Sequence, residues 1–568
     1  MLTELQKKIV NSSGKVVVKA CPGSGKTYTI AYKLKKIVES WNDNYSGIAV
    51  LSFTNVACME IKNKYKEINV GLELLYPHFI GTFDSFIYKY IFAIFGTLIT
   101  KTKGNLLVDN SSLIVNMKKR FWKKECYQKG CNPYSFYMEN GNIQDLNNKV
   151  RNCTSVNKSC ECLKRECCRI GYYNYDDILC ICISILKQRK DILNLFIKRF
   201  PTIILDEAQD ISKKQMELLE LLIDNGLSNM MLIGDPDQAI YEWRSANPEV
   251  FLNKFNSEEW EKIVLNENFR SSQNICNATY YFSTLETISN SISEYKDFLK
   301  KPILVKYNIK QIDNLLEFYI NVCRENKILI SNQIAILNRS KDFLSNDYSN
   351  IKDLWKNDLS ILLSKSVMYK LQKDYSNLYK YSEKVLYFIL MGDNINSSIN
   401  YESIFKIMDE SIWKRKVIEL SFKLKEKNIV LTEWISETEM LLKEIFVDYK
   451  NFLKVEIKLA IKKSDRKLPD FKKHKINEFF YTNNLEYIVS TIHGVKGCTF
   501  DAVLLIVNQN GKMTSNIINQ YPLGSEEIRN AYVAMTRPRK LLMVAIPNTV
   551  KDKDLRRFPA DLWDYKYL

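Results

Sequence analysis

The chain has 568 residues, with 82 Lys and Arg against 65 Asp and Glu, for a net charge of +17. At roughly 150 residues per domain this length predicts three to five domains, and 46% hydrophobic with 26% charged residues excludes wholesale disorder. The positive excess favours a polyanionic partner, either nucleic acid or a charged membrane surface.

The N-terminal segment Met1-Leu-Thr-Glu-Leu-Gln-Lys-Lys has no apolar signal core. The longest apolar stretch, near Tyr90-Ile-Phe-Ala-Ile-Phe, is far short of the roughly 18 residues a membrane helix needs. The 14 Cys show no paired spacing of the kind a small disulfide-stapled domain carries. A soluble, cytoplasmic protein with reduced thiols and no membrane partner is expected.

In chain order, Val16-Val-Val-Lys-Ala20 reads as a short β-branched strand. It runs into a glycine-rich turn, Cys21-Pro22-Gly23-Ser24-Gly25, and then a helical stretch from Lys26. Further buried-strand runs are Ile48-Ala-Val-Leu-Ser-Phe53, Thr202-Ile-Ile-Leu205, Asn229-Met-Met-Leu-Ile-Gly234, Ala502-Val-Leu-Leu-Ile-Val507 and Leu541-Leu-Met-Val-Ala-Ile546. Strands alternating with helical stretches predict parallel α/β sheets. Two stretches, about 86–190 and 345–480, lack that rhythm and read as mainly helical insertions.

Ala20-Cys-Pro-Gly-Ser-Gly-Lys26-Thr27 has the form of a phosphate-binding loop, departing only in Ala20 for the first Gly. Successive N–H groups at a helix N-terminus cradle phosphate oxygens. Lys26 would reach the terminal phosphates of ATP, and the Thr27 hydroxyl would ligate Mg²⁺. The matching acidic half is Thr202-Ile-Ile-Leu-Asp206-Glu207-Ala-Gln209-Asp210. There Asp206 would hold the Mg²⁺ and Glu207 would polarise the attacking water. An acidic pair after a strand is more often a helix N-cap; beside such a loop the functional reading prevails.

From Asp206-Glu-Ala-Gln-Asp onward the chain resembles the UvrD/Rep/PcrA-like superfamily 1 DNA helicases. Thr3-Glu-Leu-Gln6 resembles their adenine-reading glutamine motif. Phe53-Thr54-Asn55 and Gly81-Thr82-Phe83-Asp84-Ser85-Phe86 resemble the first two DNA-contact motifs, and Tyr175-Asp-Asp-Ile the motif that closes the first insertion. Gly234-Asp-Pro-Asp-Gln238-Ala-Ile-Tyr241-Glu-Trp243-Arg244, Asn266-Glu-Asn-Phe269-Arg270, Thr491-Ile-His493-Gly-Val-Lys496-Gly and Tyr532-Val-Ala-Met-Thr-Arg537 then follow in the family's order.

The resemblance implies two RecA-like P-loop NTPase domains, 1–85 with 190–270 and 271–345 with 481–568. It also implies two mainly helical insertions, 86–189 and 346–480. It casts Arg270 and Arg537 as arginine fingers, Gln238 as the γ-phosphate contact, and Phe269 with Gln6 as the adenine pocket. The loop residues 21–27, Tyr28 and Lys33 complete the nucleotide set. DNA contacts would fall on Phe53, Thr54, Asn55, Thr82, Phe83, Tyr241, Trp243, Arg244, Thr491 and His493, with aromatic stacks worth about 1–3 kcal/mol each. The implied activity is ATP-driven 3′→5′ movement on single-stranded or tailed duplex DNA, in repair or antiphage defence. Departures from the family pattern are Val56, Lys33, Asp84, Phe269 and Thr499; none removes a group that hydrolysis requires.

Only 31 residues follow Arg537, which suggests no further domain there. The shape resembles helicase subunits of Gabija-type systems, in which a separate nuclease acts. A DNA-activated ATPase switch for a partner nuclease is therefore the second reading. Nine Cys lie between Cys126 and Cys182; free thiols are expected ahead of a metal site. Lys450, Lys454, Lys458, Lys462 and Arg466 recur every four residues and predict one basic helical face. A second basic cluster spans Lys118 to Lys129.

Overall fold

The computed structural model describes residues 2–101, 163–240, 247–308, 311–329, 333–339, 355–371, 374–392, 399–426, 429–461, 487–507, 521–551 and 555–568. It also gives the backbone of three short strands, Asn105–Leu106, Phe136–Glu139 and Asn142–Asp145. The chain forms two compact units. One comprises Met1–Leu107, Cys131–Lys341 and Glu486–Leu568, the other Val108–Gly130 and Asp342–Leu485.

The first unit holds two parallel sheets of six strands each. The first contains β1 (Lys15–Ala20), β2 (Ile48–Ser52), β3 (Phe79–Thr82), β4 (Thr202–Leu205), β5 (Asn229–Gly234) and β6 (Glu261–Leu265), in the order β6-β1-β5-β4-β2-β3. These strands are near-continuous apolar runs because helices cover both faces. Side-chain alternation sorts them. Val16, Val18, Val50, Ile204 and Ile233 pack with Ile30, Ala31 and Leu34 of α2 (Lys26–Glu39). Val17, Ala49, Leu51, Ile203, Leu205 and Leu232 face the other side. The helix that follows Tyr175-Asp-Asp-Ile, Tyr175–Gln188, covers that side with Ile178, Ile181 and Ile185.

The second sheet contains β7 (Ile303–Tyr307), β8 (Ile334–Asn338), β9 (Ile488–Thr491), β10 (Phe500–Ile506), β11 (Pro538–Pro547) and β12 (Asp564–Tyr567). Its order is β9-β8-β10-β11-β7-β12, again all parallel. Its core joins Ala335, Leu337, Val503, Leu505, Leu542 and Val544 to Ala531, Tyr532 and Met535 of the helix Glu526–Met535. The expected α/β class with two parallel sheets is therefore present.

One local expectation changes and another gains detail. The sequence predicts a mainly helical stretch over 86–189, and its described residues are mostly helical, as in Tyr175–Gln188. They also include an antiparallel pair, Phe136–Glu139 with Asn142–Asp145, and a parallel pair, Asn105–Leu106 with Tyr172–Tyr173. The four-residue recurrence from Lys450 predicts a helical face. Instead a short 3₁₀ segment, Val447–Phe452, gives way to non-helical chain. The N–H groups of Lys454 and Val455 donate to Ile389 O, at 3.0 and 3.2 Å, in place of helical i−4 carbonyls. Lys462, Arg466 and the Lys118–Lys129 cluster lie outside the described residues.

The described residues of the second unit are mainly helical. Asp358–Leu371, Tyr375–Met391, Glu410–Lys423 and Leu431–Ile445 enclose Trp355, Trp413 and Trp434. The buried Glu383 carboxylate accepts from Trp413 Nε1 and Tyr401 Oη, each at 3.0 Å. Among the described residues of the chain, no helix is long and apolar enough to cross a membrane.

Lys164 and Asp177 form an ion pair in the first unit with both side chains wholly buried. Asp177 also accepts from the Asn174 N–H at 2.8 Å, in a reciprocal cap that starts the helix Tyr175–Gln188. A buried carboxylate that loses its cation is strongly destabilising. Lys164→Met is expected to lower stability by about 3–5 kcal/mol, read as a fall in the chemical-denaturation midpoint. A midpoint equal to that of the unaltered chain would refute it.

Candidate nucleotide and nucleic-acid site

The site is built where the C-terminal ends of β1, β4 and β5 meet the second sheet. The turn after β1 is shaped by Gly23 and Gly25, whose φ angles of +73° and +74° are open to glycine at no steric cost. A Cβ on Gly23 would lie 2.7 Å from Arg270 Cβ and 2.9 Å from Asn268 Oδ1, so the segment 268–270 rests directly on the turn. The Phe269 N–H donates to Gly23 O at 2.8 Å, and Asn268 Oδ1 accepts from the N–H groups of Arg270 and Ser271. Pro22 and Ser24 are buried in the same turn, and Cys21 N–H donates to Leu265 O.

Helix α1 (Glu4–Asn11) begins with a capping box in which Thr3 and Gln6 satisfy each other's backbone N–H. The same Gln6 amide donates to Ser24 O at 3.4 Å and sits 3.0 Å from where a Gly25 Cβ would be. The Phe269 ring, 40% exposed, comes within 3.6 Å of that position. Gln6 and Phe269 thus flank the loop together. Tyr28, one residue past Thr27, packs on Tyr32 with ring centroids 4.8 Å apart.

Lys26 Nζ lies 3.7 Å from Glu207 Oε2. Gln209 Nε2 donates to the same carboxylate at 2.6 Å, and Gln209 Oε1 accepts from the Asp235 N–H at 2.9 Å. Asp235 Oδ2 accepts from Gln238 Nε2 at 2.6 Å, and Gln238 Oε1 accepts from the Arg537 guanidinium. A chain of one ion pair and four hydrogen bonds therefore runs from the phosphate loop to the second sheet. Two further bonds cross beside it: Lys496 Nζ to Asp210 Oδ2 at 2.6 Å, and Arg270 Nη1 to Thr536 O at 3.0 Å.

Burial sets the protonation of this cluster. It pushes the Asp206 carboxyl up to about 7, reinforced by the adjacent Glu207 charge. Burial would raise Glu207 as well, but Lys26, Lys496, the Gln209 amide and Arg537 hold it down to about 2. Asp235 is pushed up to about 7 by burial, and Arg270 is drawn down to about 9 by burial and by Arg537.

The residues fit a divalent cation. Asp206 is 2% exposed, and its Oδ1 has no hydrogen-bond partner, as is also true of Ser24 Oγ in the loop. Thr27 follows Lys26 in the first turn of α2. Hard oxygen donors of this kind suit Mg²⁺. Among the described residues no cluster of three or more His, Cys, Asp or Glu forms a metal cage, and the described cysteines are free thiols. Cys126, Cys131, Cys153, Cys160 and Cys162 lie outside the described residues.

The predicted DNA-contact residues are placed differently from one another. Phe53 is half-buried and stacks on Phe83, with centroids 6.4 Å apart and planes at 12°. Phe83 itself is 1% exposed in the core, so its ring supports Phe53 and offers no face to a base. Thr54 and Thr82 cap the helices Asn55–Ile68 and Phe83–Ile87, accepting from Ala57 N and Ser85 N. Asn55 is exposed at the first position of its helix. Thr491 Oγ1 accepts from Gly494 N, and His493 Nε2 lies 3.1 Å from Ile240 O. Tyr241, Trp243 and Arg244, which follow Ile240, lie outside the described residues.

Lys33 is a correction. The resemblance casts it as a nucleotide contact, but it is buried, and Nζ donates to Ile9 O, Ser12 O and Ser12 Oγ at 3.0, 2.7 and 3.3 Å. Its ammonium ties down the C-terminal end of α1, the helix that carries Gln6, as cations at helix C-termini do. The sequence reading also missed Gln209, Asp235 and the Asp210–Lys496 pair. All sit inside recognised motifs, but their connection depends on how the strand ends meet.

With this geometry in hand, comparison with known proteins gives the class. Residues 2–259 match the UvrD/REP helicase N-terminal domain and residues 473–549 the UvrD-like helicase C-terminal domain, together more than half of the chain. The chain belongs to the UvrD-like family of ATP-dependent DNA helicases. Among its relatives is the ATP-dependent DNA helicase Rep of Buchnera aphidicola subsp. Schizaphis graminum, 26% identical over 93% of this chain and 90% of that one. The Gabija protein GajB of Bacillus cereus is 24% identical over 96% of this chain and 95% of its own. A probable DNA helicase II homolog of Mycoplasma capricolum is 28% identical, but the match covers 53% of this chain and 44% of that protein.

Burial lowers the Lys33 ammonium to about 8, against an ordinary value of 10.5. Between those values the folded chain binds fewer protons than the unfolded one, so stability rises with pH across that window. The stability difference between the unaltered chain and Lys33→Met is therefore expected to grow from about pH 8 to pH 10, measured by denaturation at each pH. A difference that stays flat would refute it.

Proposed function

We propose that the chain is an ATP-driven, DNA-stimulated translocase and helicase moving 3′→5′ on single-stranded or tailed duplex DNA. The observation that carries this reading is the chain of one ion pair, Lys26 with Glu207, and four hydrogen bonds that leads on through Gln209, Asp235 and Gln238 to Arg537. It joins a phosphate loop on one sheet to a guanidinium presented by the other, so a nucleotide at the loop would be sensed by both halves.

In this reading Gln6 and Phe269 hold the adenine, and residues 21–27 wrap the phosphates. Thr27 and Asp206 hold Mg²⁺, which when bound neutralises charge that develops on the phosphates. Glu207, kept ionised, accepts a proton from the attacking water. Arg270, Arg537 and Gln238 stabilise the transferring phosphoryl group. Phe53, Thr54, Asn55, Thr82, Thr491 and His493 line the DNA path with Tyr241, Trp243 and Arg244, and Phe83 backs Phe53. The division into two RecA-like halves with insertions at 86–189 and 346–480 belongs to the same proposal.

A second reading is favoured by the end-to-end alignment with a Gabija protein. Here the chain is a DNA-activated ATPase switch that regulates a separate nuclease in antiphage defence, with little unwinding.

Lys26→Ala is expected to abolish DNA-stimulated ATP hydrolysis while leaving the unfolding midpoint near that of the unaltered chain. Retained turnover would reject the site. Strand displacement separates the readings: unwinding of 3′-tailed but not 5′-tailed duplexes supports the helicase. DNA-stimulated hydrolysis with neither duplex unwound supports the switch.

A further inference from the structure

Ser52 ends β2 and Asp206 follows β4, its neighbour in the sheet. Leu51 pairs with Leu205, and the Asp206 N–H donates to Leu51 O at 2.8 Å. Ser52 and Asp206 each follow that last pair, on strands that run about 4.8 Å apart. Alternation decides which way they point. Leu51 and Leu205 belong to the core on the Tyr175–Gln188 side, whereas Val50 and Ile204 belong to the core under α2. Ser52 and Asp206 therefore share the α2 side, the side on which Lys26 and Thr27 begin that helix.

Ser52 is 1% exposed and Asp206 is 2% exposed. Neither Ser52 Oγ nor Asp206 Oδ1 has a hydrogen-bond partner. Leaving one buried polar atom unsatisfied costs about 1–3 kcal/mol. Native structures keep such atoms rare, and each one calls for a cause. Two of them on adjacent strand ends, on the same face, point to a shared polar ligand. The helix-capping role open to a serine before a helix is already filled by Thr54, whose hydroxyl accepts from Ala57 N.

We propose that Ser52 is a positioning residue of the cation site: its hydroxyl and Asp206 Oδ1 share one water of a bound Mg²⁺. Mg²⁺ keeps several of its waters when a protein holds it. Groups that hydrogen-bond such ligands orient them, and their loss typically weakens metal binding 10–100-fold. The inference rests on the proposed assignment of Thr27 and Asp206 to Mg²⁺, and it adds a residue from outside the phosphate loop and the acidic motif.

The test uses the full chain and a fluorescent ADP analogue, with nucleotide binding followed as Mg²⁺ is titrated. Ser52→Ala is expected to raise the Mg²⁺ midpoint about tenfold while leaving nucleotide affinity in EDTA unchanged. Ser52→Thr, which keeps the hydroxyl, is expected at the original midpoint. An unchanged midpoint in Ser52→Ala, or a Ser52→Thr as weak as Ser52→Ala, overturns the inference and leaves the proposed function standing. Absence of Mg²⁺-dependent nucleotide binding by the unaltered chain overturns both.

Discussion

Charge taken out of water between the two sheets is the constraint on which the rest of this unit depends. Asp206, Asp235 and Arg537 are almost wholly buried, and Lys26 and Glu207 face each other beside them. An ion moved from water into a protein interior loses several kcal/mol unless partners replace its hydration. The arrangement meets this demand in two ways. Glu207 is surrounded by cations and an amide and stays ionised, whereas Asp206 and Asp235 rise to about 7. Neighbouring carboxyls in one sequence motif thus differ in protonation because burial prevails at Asp206, whereas Lys26, Lys496 and Arg537 outweigh it at Glu207.

The same constraint explains why the two sheets meet where they do. Arg537 cannot be buried alone. Its Nε donates to Val533 O within its own half, and its outer nitrogen needs an acceptor from the other half, which Gln238 supplies. Arg270 leaves the first sheet and takes Thr536 O in return. Each half provides a cation that the other half satisfies. The contact of 268–270 with the phosphate turn keeps this exchange in register, and it requires a residue without a Cβ at Gly23.

Much of this was legible from sequence because phosphate chemistry needs particular residues at fixed spacing. The strand, glycine turn and helix at 16–39 are one example, and the acidic pair ending a buried run at Thr202–Leu205 is another. What escaped were features set by tertiary neighbours. Lys33 sits at a motif position, but its nearest acceptors are the carbonyls ending α1, so it supports a helix. Phe83 and Phe53 look alike in their motifs, and only the packing shows that one is core. The basic recurrence from Lys450 has helical spacing without a helix, because Ile389 O takes the amides that a helix would have used. The pairing of 136–139 with 142–145 did carry a local signal. The Asn140-Gly141 dipeptide between its strands is a strong hairpin cue, and the lysine- and asparagine-rich surroundings hid it.

The chain of ion pair and hydrogen bonds also bears on how ligand binding would be felt across the unit. Gln238 and Arg537 are bonded to each other, and Lys26 is paired with Glu207. A phosphate between Lys26 and Arg537 would compete for the donors those bonds now use, so its net gain is the difference between two charge-assisted arrangements. Such differences are of the size, about 1–3 kcal/mol, that couples distant sites in proteins. Coupling of that size needs the competing bonds to be made by the same atoms. Arg537 meets this condition: its outer nitrogen reaches Gln238, and Gln238 is in turn held by Asp235. The side chain bonded to the guanidinium stands two residues before Ile240, whose carbonyl lies beside His493 on the second half.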